Sequence, residues 1–298
     1  MTSTAIPRRR ARTQLRSAIV FLLPSALILG VFVLYPIAQS AWMSLHNWTF
    51  FQKTHPFTGL SNFAEAIKDR RFWNAFGNTA TFTIVTVPAQ VVLGLVLATR
   101  LARSSWLTVF LRSVFFFPVI SSFATMAIVW KFILSPQVGP TAAWLESIGL
   151  VPIDILHNPD LALAAVIMVG LWKNVGFTMV ILIAALQDVP ESLNEAAVLD
   201  GAGAWTRFVH VSLPAIRQAL LFSSVIATIA SLQVFDQVYV MTGGGPLFRT
   251  ETLVTYMYTM GFTQFRTGYA AAIAWALFIL IMVVSLVQLR LFRYRDVD

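Results

Sequence analysis

The chain has 298 residues, of which 57% are hydrophobic and only 11% charged, against the roughly 25% charged residues of a soluble domain. A mean hydropathy of +0.74 makes lipid the solvent of this chain, and its formal net charge of +8 reads as loop topology rather than nucleic-acid binding, because cytoplasmic loops of membrane proteins accumulate Lys and Arg. The absence of cysteine excludes disulfides, thiolate metal sites and Cys nucleophiles.

Residues 1–17 carry Arg8, Arg9, Arg10, Arg12 and Arg16 and read as a basic cytoplasmic tail. The apolar run from Ala18 to about Ile37 is longer than the apolar region of a signal peptide and contains Pro24 and Pro36, so it reads as a retained first span. Residues 43–78, which follow Trp42, are a mixed external segment with Trp48 and Trp73 and with four basic residues, Lys53, Lys68, Arg70 and Arg71. Thr79 to Ala98 reads as the second span. Gln90 lies inside it, suited to bonding a neighbouring helix, and Gly94 with Ala98 forms a pair of small residues that permits close helix approach. Arg100, Arg103 and Arg112 mark a cytoplasmic turn. The third span is expected as one helix over about Val114 to Leu134, with Pro118 near its start.

Residues 135–160 hold Glu146, Asp154 and Asp160 but no Lys or Arg, as an external segment should. The fourth span covers Leu161 to Leu186. After it, the patterned polar stretch 188–214 reads as a short helix–turn–helix. Pro190 suits a helix start, Asp188 and Glu191 have capping-box spacing, and Leu193, Ala196, Ala197 and Asp200 share one helix face. Gly201 and Gly203 supply the turn, and Pro214 is expected to close the second helix. Ala219 to Val240 reads as the fifth span, Thr242 to Pro246 as an external glycine-rich turn, and Tyr269 to Leu289 as the sixth span. Arg290, Arg293 and Arg295 follow. Thirteen Lys and Arg fall in the tail, the 99–113 and 187–218 loops and the C-terminus, against six in the other three loops. The expected fold is therefore an all-α integral membrane bundle of six spans over 18–298, both termini cytoplasmic, with a cytoplasmic helix pair.

Glu195-Ala196-Ala197, three residues, Gly201, nine residues, then Val211-Ser212-Leu213-Pro214 resembles the EAA loop of ABC importer permeases, with Val211 where that pattern usually has Ile. Gly59-Leu60-Ser61-Asn62-Phe63 and the turn Thr242-Gly243-Gly244-Gly245-Pro246 with Thr250 downstream are similar to external segments of the carbohydrate branch, and the turn favours its maltose-type first permease. The resemblance spans essentially the whole chain. It implies a bacterial-type inner membrane location and no ATPase or cofactor in this chain, ATP and Mg being held by a separate ATPase subunit. The implied partners are that ATPase, a second permease in a heterodimer and an external solute-binding protein. Glu195, Ala196, Ala197, Asp200, Gly201, Leu213 and Pro214 would carry the coupling to the ATPase.

No catalytic set or Walker motif is visible. The glycine-rich turn has no Gly-Lys-Ser/Thr after it, and His46, His55, His157 and His210 lack metal-ligand spacing. Lys173 and Asp236 are ionisable residues inside spans, which default to a functional reading, although both could snorkel to the outer interface. Trp172, Lys173, Asn174, Gln233, Asp236 and Tyr239 supply the hydroxyl partners and stacking faces that a sugar needs, and are the candidate substrate path. Two other classes compete. An ion-driven secondary transporter would use Lys173 and Asp236 as coupling sites but leave the helix pair without a task, and no inverted repeat is evident. An integral-membrane enzyme would need an acid or His cluster at an interface.

Overall fold

The computed structural model describes residues 20–293. The basic tail and Arg295 lie outside the described residues. Among the described residues the chain is helical with no strand, and five helices are long and apolar enough to cross a membrane, or six when a bent pair counts as one span. They divide into two compact units. One holds the described residues up to Ala66 together with Met260–Trp275, and the other holds Ile67–Thr259 together with the rest of the last helix.

In the first unit, α1 (Val20–Ser44) carries a π-helical turn at Gly30–Leu34. The start of the last helix is tied to the loop that follows α1. Gly268 N–H and Thr267 Oγ1 both donate to the Trp48 carbonyl, at 2.9 and 2.8 Å. Gly268 is required there, since a side-chain carbon would come within 2.3 Å of the His46 carbonyl. Arg266 also pairs with Glu65 at 2.7 Å.

The second unit begins in α2 (Ser61–Lys68) and α3 (Arg70–Leu101). The second span is longer than expected at its outer end, so Arg70, Arg71 and Trp73 lie on the helix rather than in a loop. Asp69 caps it, its carboxylate accepting from Arg71 N–H at 2.8 Å. The third span is not one helix. It consists of α4 (Trp106–Ile120) and α5 (Phe123–Ile133), bent by 102° at Ser121 and Ser122. Pro118 has no N–H for the helix ladder, and Ser121 turns to an extended conformation. A short α6 (Pro140–Ser147) follows outside the spans.

α7 (Ala162–Gln187) is the centre of this unit. It packs on α3 and on α4, and its apolar window is the most buried of the spans. Small residues set both contacts. A side-chain carbon on Gly94 would meet Thr178 Cβ at 2.9 Å, and one on Gly176 would come within 2.0 Å of the Phe115 carbonyl. Gln90 Nε2 donates to Thr178 Oγ1 at 2.9 Å across the first contact, and Ala98 packs there with Met179, Leu182 and Ile216.

Next come α8 (Glu191–Leu199) and α9 (Ala204–Arg207), which runs on through a π-helical turn (Phe208–Ser212) and a last turn (Leu213–Ala215). Two local expectations fail. No capping box forms: Pro190 occupies the cap position without a side-chain bond, while Asp188 ends α7. Nor does Pro214 close the second helix. It sits in the first turn of the last segment, where its missing N–H costs nothing, and the break comes at Ile216.

The fifth span is also broken, into α10 (Arg217–Leu232) and α11 (Asp236–Met241). Thr252 Oγ1 donates to the Val234 carbonyl exposed by the break, at 2.9 Å. α12 (Leu253–Tyr258) and α13 (Thr267–Arg293) complete the chain.

Candidate functional site

The two helix breaks meet at one place. Ala230, Ser231 and residues 233–237, at the break in the fifth span, line a cavity of about 110 Å³ together with Phe82 of α3, Phe123 at the start of α5 and Asn174 of α7. Three of the six residues expected on a substrate path, Asn174, Gln233 and Asp236, are on its wall. Non-helical backbone at membrane depth is tolerated where it lines a cavity, and the break at 233–235 does so.

Sequence reasoning missed Gln237. It is 2% exposed, its Oε1 has no hydrogen-bond partner, and it lies on the cavity wall. Gly170 makes room for it, since a side-chain carbon there would meet Gln237 Nε2 at 2.9 Å. An unpaired buried amide oxygen is costly, and a bound hydroxyl donor would satisfy it. The wall therefore offers amide and carboxylate groups beside the rings of Phe82 and Phe123.

The other three expected residues are not themselves on the wall. Lys173 is 4% exposed and does not snorkel. Its Nζ donates to the carbonyls of Pro118, Val119 and Ser121 at 3.0, 3.2 and 2.8 Å, and it lies 4.4 Å from the centre of the Phe123 ring. These carbonyls belong to the C-terminal end of α4, where that of Pro118 also accepts from Ser121 N–H at 3.3 Å, so the ammonium caps a helix C-terminus, as its dipole favours. Through Phe123 it also fixes part of the cavity wall. Trp172 faces Trp130 edge-on at 5.5 Å. Tyr239 stacks on Phe235 at 5.2 Å and meets Tyr258 edge-on at 5.1 Å, and a hydrogen bond to Tyr239 raises the Tyr258 pKa above its ordinary value.

The helix pair is a separate feature. α8 ends in a Schellman motif: Ala202 N–H donates to the Ala197 carbonyl at 2.9 Å and Gly201 N–H to the Val198 carbonyl at 3.0 Å. Gly201 has φ +79°, with open space around it, so backbone geometry alone demands glycine there. Glu195 and Asp200 are exposed. So are apolar side chains that a soluble surface would bury, with Leu199 at 88% and Trp205 at 75%.

Residues 90–295 match the family of binding-protein-dependent transport system inner membrane components. The chain belongs to that family. It is a multi-pass permease, the membrane-embedded transport component, with ATP hydrolysis carried out by a separate subunit. The permease is 35% identical to the probable ABC transporter permease protein YurN of Bacillus subtilis, covering 92% of this chain and 95% of that one. It is 32% identical to the multiple sugar-binding transport system permease protein MsmF of Streptococcus mutans, over 91% and 93%. To the trehalose/maltose transport system permease protein MalF of Thermococcus litoralis the identity is 31%, over 93% of each chain. Among solved structures, a bacterial ABC transporter involved in the import of the acidic polysaccharide alginate superposes with a TM-score of 0.85 over 97% of this chain and 100% of that one. At 22% identity that likeness shows the fold alone. The ion-driven alternative is not favoured: family membership opposes it, and the Lys173 ammonium is already held by three carbonyls.

Proposed function

We propose that this permease forms half of the path by which an ATP-driven importer moves a sugar or sugar-like solute inward. The observation that carries the substrate class is the cavity: Asn174, Gln233, Asp236 and the unpaired Gln237 oxygen offer hydrogen bonds to hydroxyls, and Phe82 and Phe123 offer faces to sugar C–H groups. Relatives named for multiple sugars and for trehalose and maltose support it. Trp172 and Tyr239 extend the path as stacking surfaces, and Lys173 supports its wall.

The 188–214 helix pair is the coupling element. Leu193, Val198, Leu199 and Trp205 are apolar and exposed, and they seat in a cleft of a partner ATPase, beside Glu195, Ala196, Ala197 and Asp200. Gly201 fixes the angle between α8 and α9, and Leu213 and Pro214 connect the pair to the fifth span. ATP and Mg bind the ATPase, and this chain holds no cofactor of its own. Closure of the ATPase pair draws the coupling helices together, tilts the spans and opens the cavity outward. A second permease completes the cavity, and an external solute-binding protein delivers the solute. One solved ABC transporter of this fold is in complex with a pentasaccharide-bound periplasmic protein. The chain sits in a bacterial inner membrane with both termini cytoplasmic, as its charge asymmetry favours.

The test is co-purification of the detergent-solubilised chain with a Walker-motif ATPase, followed by uptake in proteoliposomes. Recovery of the ATPase that is lost in a Glu195→Ala/Gly201→Val double variant is expected. A correctly inserted variant that keeps its ATPase and its uptake would remove the coupling assignment. Uptake that persists without ATP and collapses with an uncoupler would remove the importer reading altogether.

A further inference from the structure

Transport through the cavity leaves the outer basic residues of the second unit without a task, although they run against the charge asymmetry of the chain. They surround a braced turn. Residues 243–248 include four left-handed backbone positions, Gly243 and Gly244 with φ +61° and +87° and then Leu247 and Phe248 with φ +51° and +60°. The last two are not glycine, and an L side chain disfavours that region.

The surroundings hold the turn in this shape. Arg71 of α3 donates twice to the Glu251 carboxylate at 2.7 Å, with Glu251 only 2% exposed. The Arg71 guanidinium also lies 4.0 Å from the centre of the Phe248 ring. Asn74 and Asn78 donate to the Phe248 carbonyl at 2.7 and 2.9 Å, and Asn78 also to that of Glu251 at 2.9 Å. Thr250 Oγ1 closes the base on the Gly245 carbonyl at 2.7 Å.

All this order presents an apolar and basic tip. Leu247 is 80% exposed and Phe248 48%, and Arg249 is exposed beside them. Exposed Arg70 is next to Arg71 on α3, and exposed Lys68 is close in sequence. Lys68, Arg70 and Arg249 are in no ion pair among the described residues. The nearby acids are already used, Glu251 by Arg71, and Asp69 by Arg71 N–H and the Tyr256 hydroxyl.

Helix length places Arg70 beyond the lipid headgroups. α3 has 32 residues, about 48 Å at 1.5 Å per residue, against about 30 Å of hydrocarbon and about 40–45 Å of whole bilayer. With its Arg100 end at the inner interface, about 20 residues reach Thr79. Arg70 then stands about 13 Å further out, beyond a headgroup layer of about 5–8 Å. An average tilt of about 20° shortens this by under a tenth.

We infer that the Leu247–Arg249 tip, with Arg70, is the face on which an acidic, apolar-bordered surface of the external solute-binding protein docks. The inference rests on the proposed importer reading and its orientation. Steering by opposite charge raises the on-rate and makes docking salt-dependent.

The test uses the full assembly of permeases and ATPase in nanodiscs, with the purified binding protein of the same transport system. Docking affinity is measured at low and moderate salt for the parent and for an Arg70→Glu/Arg249→Glu double variant. A loss of about tenfold, with a flatter salt dependence, is expected. Because the chain has no cysteine, Leu247→Cys gives this permease a unique thiol. Blocking that thiol with a bulky, membrane-impermeant maleimide after assembly is expected to abolish docking, even if the charge variant does not assemble. Labelling of the Leu247→Cys variant from outside, with docking unchanged in the double variant or after the block, overturns the inference while leaving the importer reading intact. Labelling only from the cytoplasmic side overturns the orientation first, and the inference with it. An effect that appears only with anionic-lipid nanodiscs and not in neutral ones assigns the tip to headgroups and also overturns it.

Discussion

Lys173 shows why an ionisable residue in a span is ambiguous at the level of sequence. A Lys in the outer half of a span fits a coupling site, a snorkelling anchor or a structural cap, and all three share the same hydropathy. The decision lies in a contact with residues more than 50 positions earlier, the carbonyls at the end of α4. Lys173→Met keeps most of the length and the apolar stem but removes the ammonium from the Val119 and Ser121 carbonyls, while that of Pro118 keeps Ser121 N–H. A buried acceptor left unpaired costs about 1–3 kcal/mol, so thermal unfolding in detergent is expected to fall by several degrees. Because Phe123 shares the contact, the apparent KM for uptake is expected to rise as well. An unchanged melting temperature would show that the ammonium adds nothing to the bend. Gln237→Leu makes the complementary case. It removes an oxygen without a partner, so stability is expected to hold or rise slightly while the KM for uptake rises, as measured by initial rates in proteoliposomes. Unchanged KM would take Gln237 off the path.

At the scale of elements, Gly201→Val addresses the turn between α8 and α9. Open space around Gly201 means no neighbour resists a side chain, so any effect comes from φ +79°. Valine opposes that conformation by about 1–2 kcal/mol or more. The expected outcome is a protein that inserts and retains its spans by circular dichroism, yet couples ATP hydrolysis to uptake at a fraction of the parent rate. Full coupling would mean that the angle between the helices is unimportant. The existence of this pair was legible, because its polar patterning and its two glycines stand out between apolar runs. The breaks in the third and fifth spans were not. Pro118 and the Ser121–Ser122 pair were visible, but a proline in a transmembrane helix also fits a kink, and what stabilises a full bend is the distant ammonium of Lys173. The break at 233–235 has no proline or glycine, and its stability depends on Thr252 reaching back to Val234. Asn174, Gln233 and Asp236 could be chosen by residue type, whereas Gln237 needed the cavity to be seen.

For the molecule as a whole, hydropathy and loop charge carried most of the information, since a lipid solvent leaves so few options for a backbone. The spans at Ala162–Gln187 and Thr267–Leu291 lie within a few residues of the apolar runs that mark them. The outer end of the second span was hidden because Arg70, Arg71, Asn74 and Asn78 look like loop. They are helical because the helix outruns the bilayer, and the side chains of Arg71, Asn74 and Asn78 bind a turn 170 or more residues later. The same lack of cysteine that excluded disulfides makes orientation directly measurable with two single-thiol variants. Ser104→Cys lies in the short turn between α3 and α4, and Val151→Cys, at a position 84% exposed, in the segment before α7. In intact spheroplasts an impermeant maleimide is expected to label the Val151→Cys variant and to spare the Ser104→Cys variant until the membrane is opened. The balance of thirteen basic residues against six favours this sidedness at about the level of a topological rule rather than a bond, so it can be inverted by a partner subunit. The reverse labelling pattern would put the helix pair outside, away from any cytoplasmic ATPase, and the coupling assignment could not survive it.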